Sequence, residues 1–497
     1  MIFNSLTYLL FLSIVVLLYW QLPRRPRLWL LFVASLVFYG FWDWAFVPLL
    51  LFSVLVDYTA GLCLGRIPDG WRRRAVLISA VAANLLVLGI FKYLIFFSAQ
   101  LQGLSNALGL FQPDSFSVGL HIILPLGISF YTFQSMSYTI DVWRRVTQPR
   151  RDFVLFASYV IFFPQLIAGP ILRAGEVIWQ LDRRPAFRRA DIAEGLRRVG
   201  SGLFLKCVLA DNIAPFVNAG FAREVASLGA LDVATLAFLF GFQIYFDFAG
   251  YSHIALGSAR LMGIVLPENF AFPYLAHSPR DFWRRWHISL GSWIRDYLYL
   301  PLCGVSGGTQ SREGLALAAG SGPHSMRRLA ALWTTWILMG LWHGANWTFV
   351  VWGLWHAALV SLQRGANAVV NVPMPAFLGW MLTLPAAMLS WIPFRAESLD
   401  HALGLWSRLI TIEAWLRPPE STGSFPLWLS LSRDSYYVVA AVMVAILVAG
   451  LIGRGLPGQS DTRPVWLAWA EGALAAAATP LIVLFLRPVD QFIYFQF

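Results

Sequence analysis

The chain has 497 residues, of which 58% are hydrophobic and 13% charged, with 38 Phe and 23 Trp; a soluble chain carries about 25% charged residues. That composition excludes a disordered chain and argues against a water-soluble multidomain enzyme, whatever the length. The net charge of +11 comes from arginine, since Lys92 and Lys206 are the only lysines, and in a membrane protein it reflects cationic cytoplasmic loops rather than nucleic-acid binding.

Residues 2–20 are mostly apolar, without a cationic start or a small-residue cleavage site, and Arg24, Arg25 and Arg27 follow. This predicts a retained first helix with its N-terminus outside. Arg66 and Arg72–Arg74 mark a second cytoplasmic loop, and Arg144, Arg145, Arg150 and Arg151 a third. Spans at 2–20, 28–42, 46–64, 75–97 and 121–142 fit this alternation, with 98–120 outside. Most approach the ~20 residues that cross a bilayer. Residues 153–171 are apolar but have arginine at both ends and contain Pro164 and Gly169–Pro170. A re-entrant segment is expected there, packed within protein.

Residues 172–199 alternate arginine with acid and predict an amphipathic cytoplasmic surface segment. Spans near 200–217 and 232–260 follow, then a Gly/Ser-rich loop at 304–328. Further apolar stretches lie at 329–363, 374–394, 435–453 and 465–486. Residues 394–410 read as an interfacial helix. No internal repeat of the transporter kind is present.

Ionisable residues inside membrane segments are costly and mark candidate sites. The stretch 332–358 is too long for one span and breaks at Gly344-Ala345-Asn346, so His343 is placed at the turn of a buried hairpin. Trp342 and Trp347 can wall off water there. GLWH occurs at 340–343 and 353–356. The first copy precedes Gly and Asn, which admit a substrate and add a polar partner; the second precedes two alanines. His343 is therefore the reactive candidate and His356 the structural one.

Residues 281–300 (DFWRRWHISLGSWIRDYLYL) are too charged to span and too apolar for a free loop. An interfacial position is expected, with Arg284, Arg285 and Arg295 able to hold phosphates or a carboxylate or to anchor in headgroups. In 241–257, Asp247 and His253 are six apart and fall on different sides of a helix, while Gly241, Gly250 and Gly257 suggest close helix packing. Cys63, Cys207 and Cys303 lie far apart without CxxC, and no HxxxH or HExxH occurs. Neither a disulfide framework nor a metal site is expected.

At these residues the chain resembles the membrane-bound O-acyltransferase superfamily, in its bacterial alginate O-acetyltransferase branch. The resemblance rests on ILPLGISFYTFQSMSYTIDVWR (123–144), FFPQLIAGPILR (162–173), IYFDFAGYS (244–252) and ENFAFPYLAHSPRDFWRRWHISLGSWIRDYLYLPL (268–302). LMGLWHGANWTFVVWGLWH (338–356), WIPFRAESL (391–399) and FIYFQF (492–497) extend it over nearly the whole chain. The pair WRRWHISL and GLWHGAN is the most specific part.

The resemblance implies a single all-α polytopic membrane domain of about ten to twelve transmembrane helices, with re-entrant and interfacial helices around a central tunnel. Within it, 1–142 would form N-terminal helices, 143–364 the core and 365–497 C-terminal helices. It implies transfer of an acyl group, acetyl in this branch, from a cytoplasmic thioester such as acetyl-CoA, with no bound cofactor or metal. His343 and His287 fall on the family's catalytic positions. Trp283, Arg284, Arg285, Arg295, Asp296, Tyr297, Trp342 and Asn346 are the residues placed at the substrates. A bacterial inner-membrane location, a periplasmic or extracellular SGNH-type acetyltransferase partner and a polysaccharide acceptor are implied as well. The chain departs from the family at His253, where an Asp is usual, and at Ala249, where a Ser is common. A transporter or a noncatalytic scaffold for polysaccharide export is the competing reading.

Overall fold

The computed structural model describes residues 1–108, 123–183, 185–305, 326–369, 374–416 and 479–486. Every regular element among them is helical. The expected span at 435–453, most of 465–486, most of the 304–328 loop and the FIYFQF end lie outside the described residues.

Among the described residues, five helical stretches are long and apolar enough to cross a membrane: Trp44–Arg66, Trp71–Asn106, Arg189–Phe221, Ala230–Leu261 and Ala376–Arg395. The first helix, α1 (Leu6–Gln21), is shorter. It is apolar all round, yet only one face packs inward. Tyr8, Leu12, Val15 and Tyr19 are buried, while Leu6, Leu10, Ile14 and Leu17 are 58–63% exposed. Their spacing of three and four residues makes a stripe suited to lipid.

α2 (Arg24–Gly40) and α3 (Val47–Arg66) follow. Then α4 (Trp71–Leu88) passes through a π-turn (Gly89–Tyr93) into α5 (Leu94–Ala107). α3 and α4 meet α6 (Ile128–Trp143) around a buried carboxylate, Asp57, which accepts hydrogen bonds from Thr139 and, at 2.8 Å, from Asn84 Nδ2. Between α3 and α4, Asp69 takes hydrogen bonds from Arg145 at 2.9 Å and Arg73 at 2.6 Å. These bonds hold its carboxyl below the ordinary carboxylate value.

The segment expected to be re-entrant is short-helical and then irregular, as its prolines suggest. α7 (Phe153–Val160) has eight residues, a rise of about 12 Å, well short of a ~30 Å hydrocarbon core. Residues 161–172 then run without helix, and all are buried. Irregular backbone at depth needs partners for its amides. Side chains supply them: Phe163 N donates to Ser35 Oγ (3.1 Å), Ala168 N to Tyr251 OH (3.2 Å) and Ile171 N to Ser289 Oγ (3.0 Å).

The charged stretch departs from expectation. α8 (Ala174–Asp182) is separate, but α9 (Arg189–Leu203) continues through a second π-turn (Phe204–Ala210) into α10 (Asp211–Phe221). The surface helix and the span expected at 200–217 are thus one rod. Gly195 and Gly202 seat it directly on α11 (Ala230–Leu261), opposite Gly257 and Gly250, as small residues do in membranes. Its charges are paired: Arg198 with Glu194 and Glu268, and Asp191 with Arg260. Deeper in, Lys206 lies 2.6 Å from both Asp211 and Asp247. Asp247 is thus tied to Lys206, while His253 lies in electrostatic reach of Arg198 and Glu268.

Candidate active site

Two short helices carry His287. Ser278 caps α12 (Pro279–Arg285) by accepting from Asp281 N, and α13 (Ile288–Ile294) starts after a sharp turn. His287 makes that turn with φ +43° and ψ +57°, a left-handed conformation uncommon for a side-chain-bearing residue and enriched at functional sites. Asn269 braces it: its carbonyl accepts from Ile288 N at 2.9 Å, and its Oδ1 accepts from Ser289 Oγ at 2.9 Å. The buried imidazole sits edge-on to Phe248 with ring centres 4.6 Å apart.

His343 is the last residue of α14 (Met326–His343), which pairs with α15 (Trp347–Val369). The two helices touch through both glycines of the repeated GLWH. A Cβ on Gly340 would lie 2.2 Å from Phe349 O, and one on Gly353 2.3 Å from Trp336 O. The repeat therefore serves helix packing as well as placing two histidines. His343 is buried among Trp342, Trp352 and Phe394, with ring centres at 4.9, 4.9 and 5.3 Å. His287, Lys92 and His356 are the ionisable groups in electrostatic reach of it. Trp342 stands between the two candidate histidines, 6.4 Å from the His287 ring.

The other expected residues fall into three places. Asn346 belongs to the hairpin turn: its Oδ1 accepts from Thr348 N at 3.2 Å and its Nδ2 donates to Glu397 O at 3.3 Å. Trp283 belongs to His356. Its indole N–H donates to His356 Nδ1 at 3.2 Å, and an indole can only donate. The proton of His356 is therefore on Nε2, which reaches Ser390 Oγ at 3.1 Å; Ser390 donates on to Ala387 O. Both ring nitrogens of His356 are engaged in holding α12, α15 and α16 (Ala376–Arg395) together. On α12, Arg285 pairs with Asp281 at 2.9 Å, and Arg284 is exposed.

Arg295, Asp296 and Tyr297 form the third place, with Arg144 and Arg173, which end two of the matching motifs but are not among the residues expected at the substrates. Asp296 accepts from Arg295 at 2.8 Å and from Arg173 at 2.7 Å, and its carbonyl accepts from Arg144 at 3.2 Å. The guanidinium carbons of Arg144 and Arg173 lie 5.3 and 5.4 Å from the Tyr297 ring centre. Tyr297 OH donates to Asp141 at 2.9 Å. Burial and the nearby carboxylate push that phenol above its ordinary pKa, so it stays a donor.

An aromatic column joins this cluster to His343. Tyr297 meets Trp293 at 5.1 Å, Trp293 lies parallel to Phe133 at 4.0 Å, Phe133 meets Trp342 at 5.5 Å, and Trp342 touches His343. A cavity of about 50 Å³ borders the far end of that column. Lys92, residues 124–130, Ile167, Trp342 and His343 line it.

Lys92 was missed by motif reasoning. Its ammonium donates to the carbonyls of Trp342 and, at 3.0 Å, of His343. The signal was present: a lysine inside a span, in a chain whose other membrane cations are nearly all arginine, is a candidate by default.

The family model described as MBOAT, the membrane-bound O-acyltransferase family, matches residues 90–399. The chain is 38% identical to a probable alginate O-acetylase of Azotobacter vinelandii over 84% of this chain and 79% of that one. It is 35% identical to a peptidoglycan O-acetyltransferase of Helicobacter pylori over 77% and 73%. It is 28% identical to a teichoic acid D-alanyltransferase of Streptococcus thermophilus over 45% and 53%. The matched region contains both candidate histidines, the arginine cluster and Lys92. The chain is a polytopic membrane protein that belongs to the membrane-bound O-acyltransferase family.

Proposed function

We propose that this acyltransferase takes an acetyl group from acetyl-CoA, or another acyl thioester, at the cytoplasmic face and passes it across the membrane for O-acetylation of a cell-envelope polysaccharide such as alginate. The observation that carries the reading is the aromatic column. It runs from a cluster with three arginines to a buried histidine, and a cavity opens beside that histidine. Arg144, Arg173 and Arg295 suit the phosphates of the donor, and the column links them through apolar contacts to the site where its acyl group would react.

His343 is the general base. It takes the proton of the acceptor hydroxyl as that oxygen attacks the thioester carbonyl. As the carbon–sulfur bond breaks, the proton passes on to the thiolate. His287, beyond Trp342, orients the thioester or stabilises the oxygen that gains charge. The acceptor hydroxyl enters from the outer side. It belongs to the polysaccharide or to a serine of a periplasmic SGNH-type partner, and the enzyme sits in the inner membrane. The names of two relatives, a probable alginate O-acetylase and a peptidoglycan O-acetyltransferase, support acetyl as the group and an envelope glycan as the destination.

The test uses membrane vesicles with [14C]acetyl-CoA at the cytoplasmic face and the host's own envelope fraction as acceptor. Base-labile label on carbohydrate is expected from the wild type. His343→Ala should reduce it by about 10²- to 10⁴-fold, the usual worth of general-base help. Undiminished labelling in that variant refutes the role. Passage of an intact solute without labelling supports the transporter reading, and neither labelling nor flux supports the scaffold.

A further inference from the structure

We infer that Lys92 is a positioning residue for the transfer site, fixing the end of α14 so that His343 stays at the cavity wall. A helix leaves its last carbonyls without amide partners. α14 ends at His343, and the next helix does not begin until Trp347. Three successive carbonyls are left at that end, those of Leu341, Trp342 and His343. All three are taken by neighbouring side chains of one element. Tyr93 OH donates to Leu341 O at 2.9 Å, and Lys92 Nζ donates to Trp342 O and His343 O.

The π-turn Gly89–Tyr93 makes this possible. A π-turn inserts an extra residue and re-aims the side chains around it, a device frequent at functional sites. It presents two consecutive residues, Lys92 and Tyr93, to one helix end. The amine sits at a helix C-terminus, where the peptide dipoles favour a donor or a positive charge. It also lies 5.8 Å from the ring centre of Trp342, so it steadies the residue that separates the two histidines. Lys92 lines the same cavity as His343. Moving the end of α14 therefore changes the cavity and the imidazole together, and an error of about 1 Å at a reacting group can cost ~10²-fold in rate.

The inference rests on His343 acting in transfer, and the test separates the two. Lys92→Met, Lys92→Arg, Tyr93→Phe and His343→Ala are compared in the [14C]acetyl-CoA vesicle assay, normalised to membrane abundance. The unfolding temperature is measured in detergent. Lys92→Met keeps the length and loses the donors; its maximal rate is expected to fall at least tenfold with the half-saturating donor concentration within twofold of wild type. Lys92→Arg, which can still donate to two carbonyls, should recover a substantial part, and Tyr93→Phe should fall severalfold. A wild-type rate in Lys92→Met overturns the inference. So does a fall in rate that Lys92→Arg leaves uncorrected while unfolding temperature falls in parallel. Full activity in His343→Ala removes the reading beneath it instead.

Discussion

Gly202 and Gly250 meet across the crossing of α9 and α11 with no room for a methyl group. A Cβ on Gly202 would stand 2.5 Å from the Gly250 carbonyl oxygen, and one on Gly250 2.8 Å from that of Gly202. Seven residues away on each helix, Gly195 and Gly257 repeat the contact, with Cβ positions 3.0 and 2.7 Å from the opposing carbonyls. The glycines hold the charged rod against the core. Gly202→Ala and Gly257→Ala should each cost about 1–3 kcal/mol, the range for overpacking. Thermal unfolding followed by size exclusion in detergent reads this directly; a wild-type midpoint for both variants would contradict the packing account.

The same crossing contains the buried ion group. Lys206 balances two carboxylates at once, so removing it should do more harm than removing one acid. Lys206→Met is expected to destabilise by about 3–5 kcal/mol, as breaking a buried pair does. Lys206→Met combined with Asp247→Asn should recover part of the loss. Residues in one network couple, and strictly additive effects in a double-mutant cycle would show that the three do not act as a unit.

His343 and His356 are both buried and both end a GLWH, but they predict opposite phenotypes. His356→Ala leaves the Trp283 indole N–H without its acceptor, a loss of about 1–3 kcal/mol. It should lower the unfolding temperature and leave much of the turnover. His343→Ala should remove turnover and leave the fold. His287→Ala should resemble His343→Ala. Measuring rate and unfolding temperature on each variant separates these outcomes; equal losses of both quantities in all three would assign every one to packing.

Arg173 reports on the donor. If its guanidinium meets donor phosphate, Arg173→Ala removes a charge-assisted contact made in the ground state, worth about 1.5–3 kcal/mol. The half-saturating concentration of [14C]acetyl-CoA should then rise at least tenfold while the maximal rate changes little. Arg74→Ala, an exposed position in the first turn of α4, serves as the control. An unchanged donor dependence in Arg173→Ala would detach the cluster from the donor.

Much of this was readable from the chain itself. Arginine clusters located the loops, Pro164 and Gly169–Pro170 located the irregular segment, and the break at Gly344-Ala345-Asn346 located the hairpin. Each of these is a local signal, and local signals survive in a sequence. The start of the rod at Arg189 was not readable, because alternating charge looks like a wetted surface until Gly195 and Gly202 are seen against α11. The role of Lys92 was hidden for a related reason: its partners are backbone carbonyls some 250 positions away, and carbonyls leave no mark in a sequence. Asn346 shows the converse. Its chemistry suits a substrate, yet the helix N-terminus beside it is the nearer claimant.

The irregular stretch after α7 also constrains how the protein is made. Its amides at Phe163, Ala168 and Ile171 need Ser35, Tyr251 and Ser289, and two of those three are synthesised long after it. A nascent chain that has reached only Val199 has the donors in place and most of the acceptors missing. The stretch can complete this set of hydrogen bonds only once residue 289 has been made. Truncations ending before Tyr251 leave the amides of Ala168 and Ile171 without these acceptors.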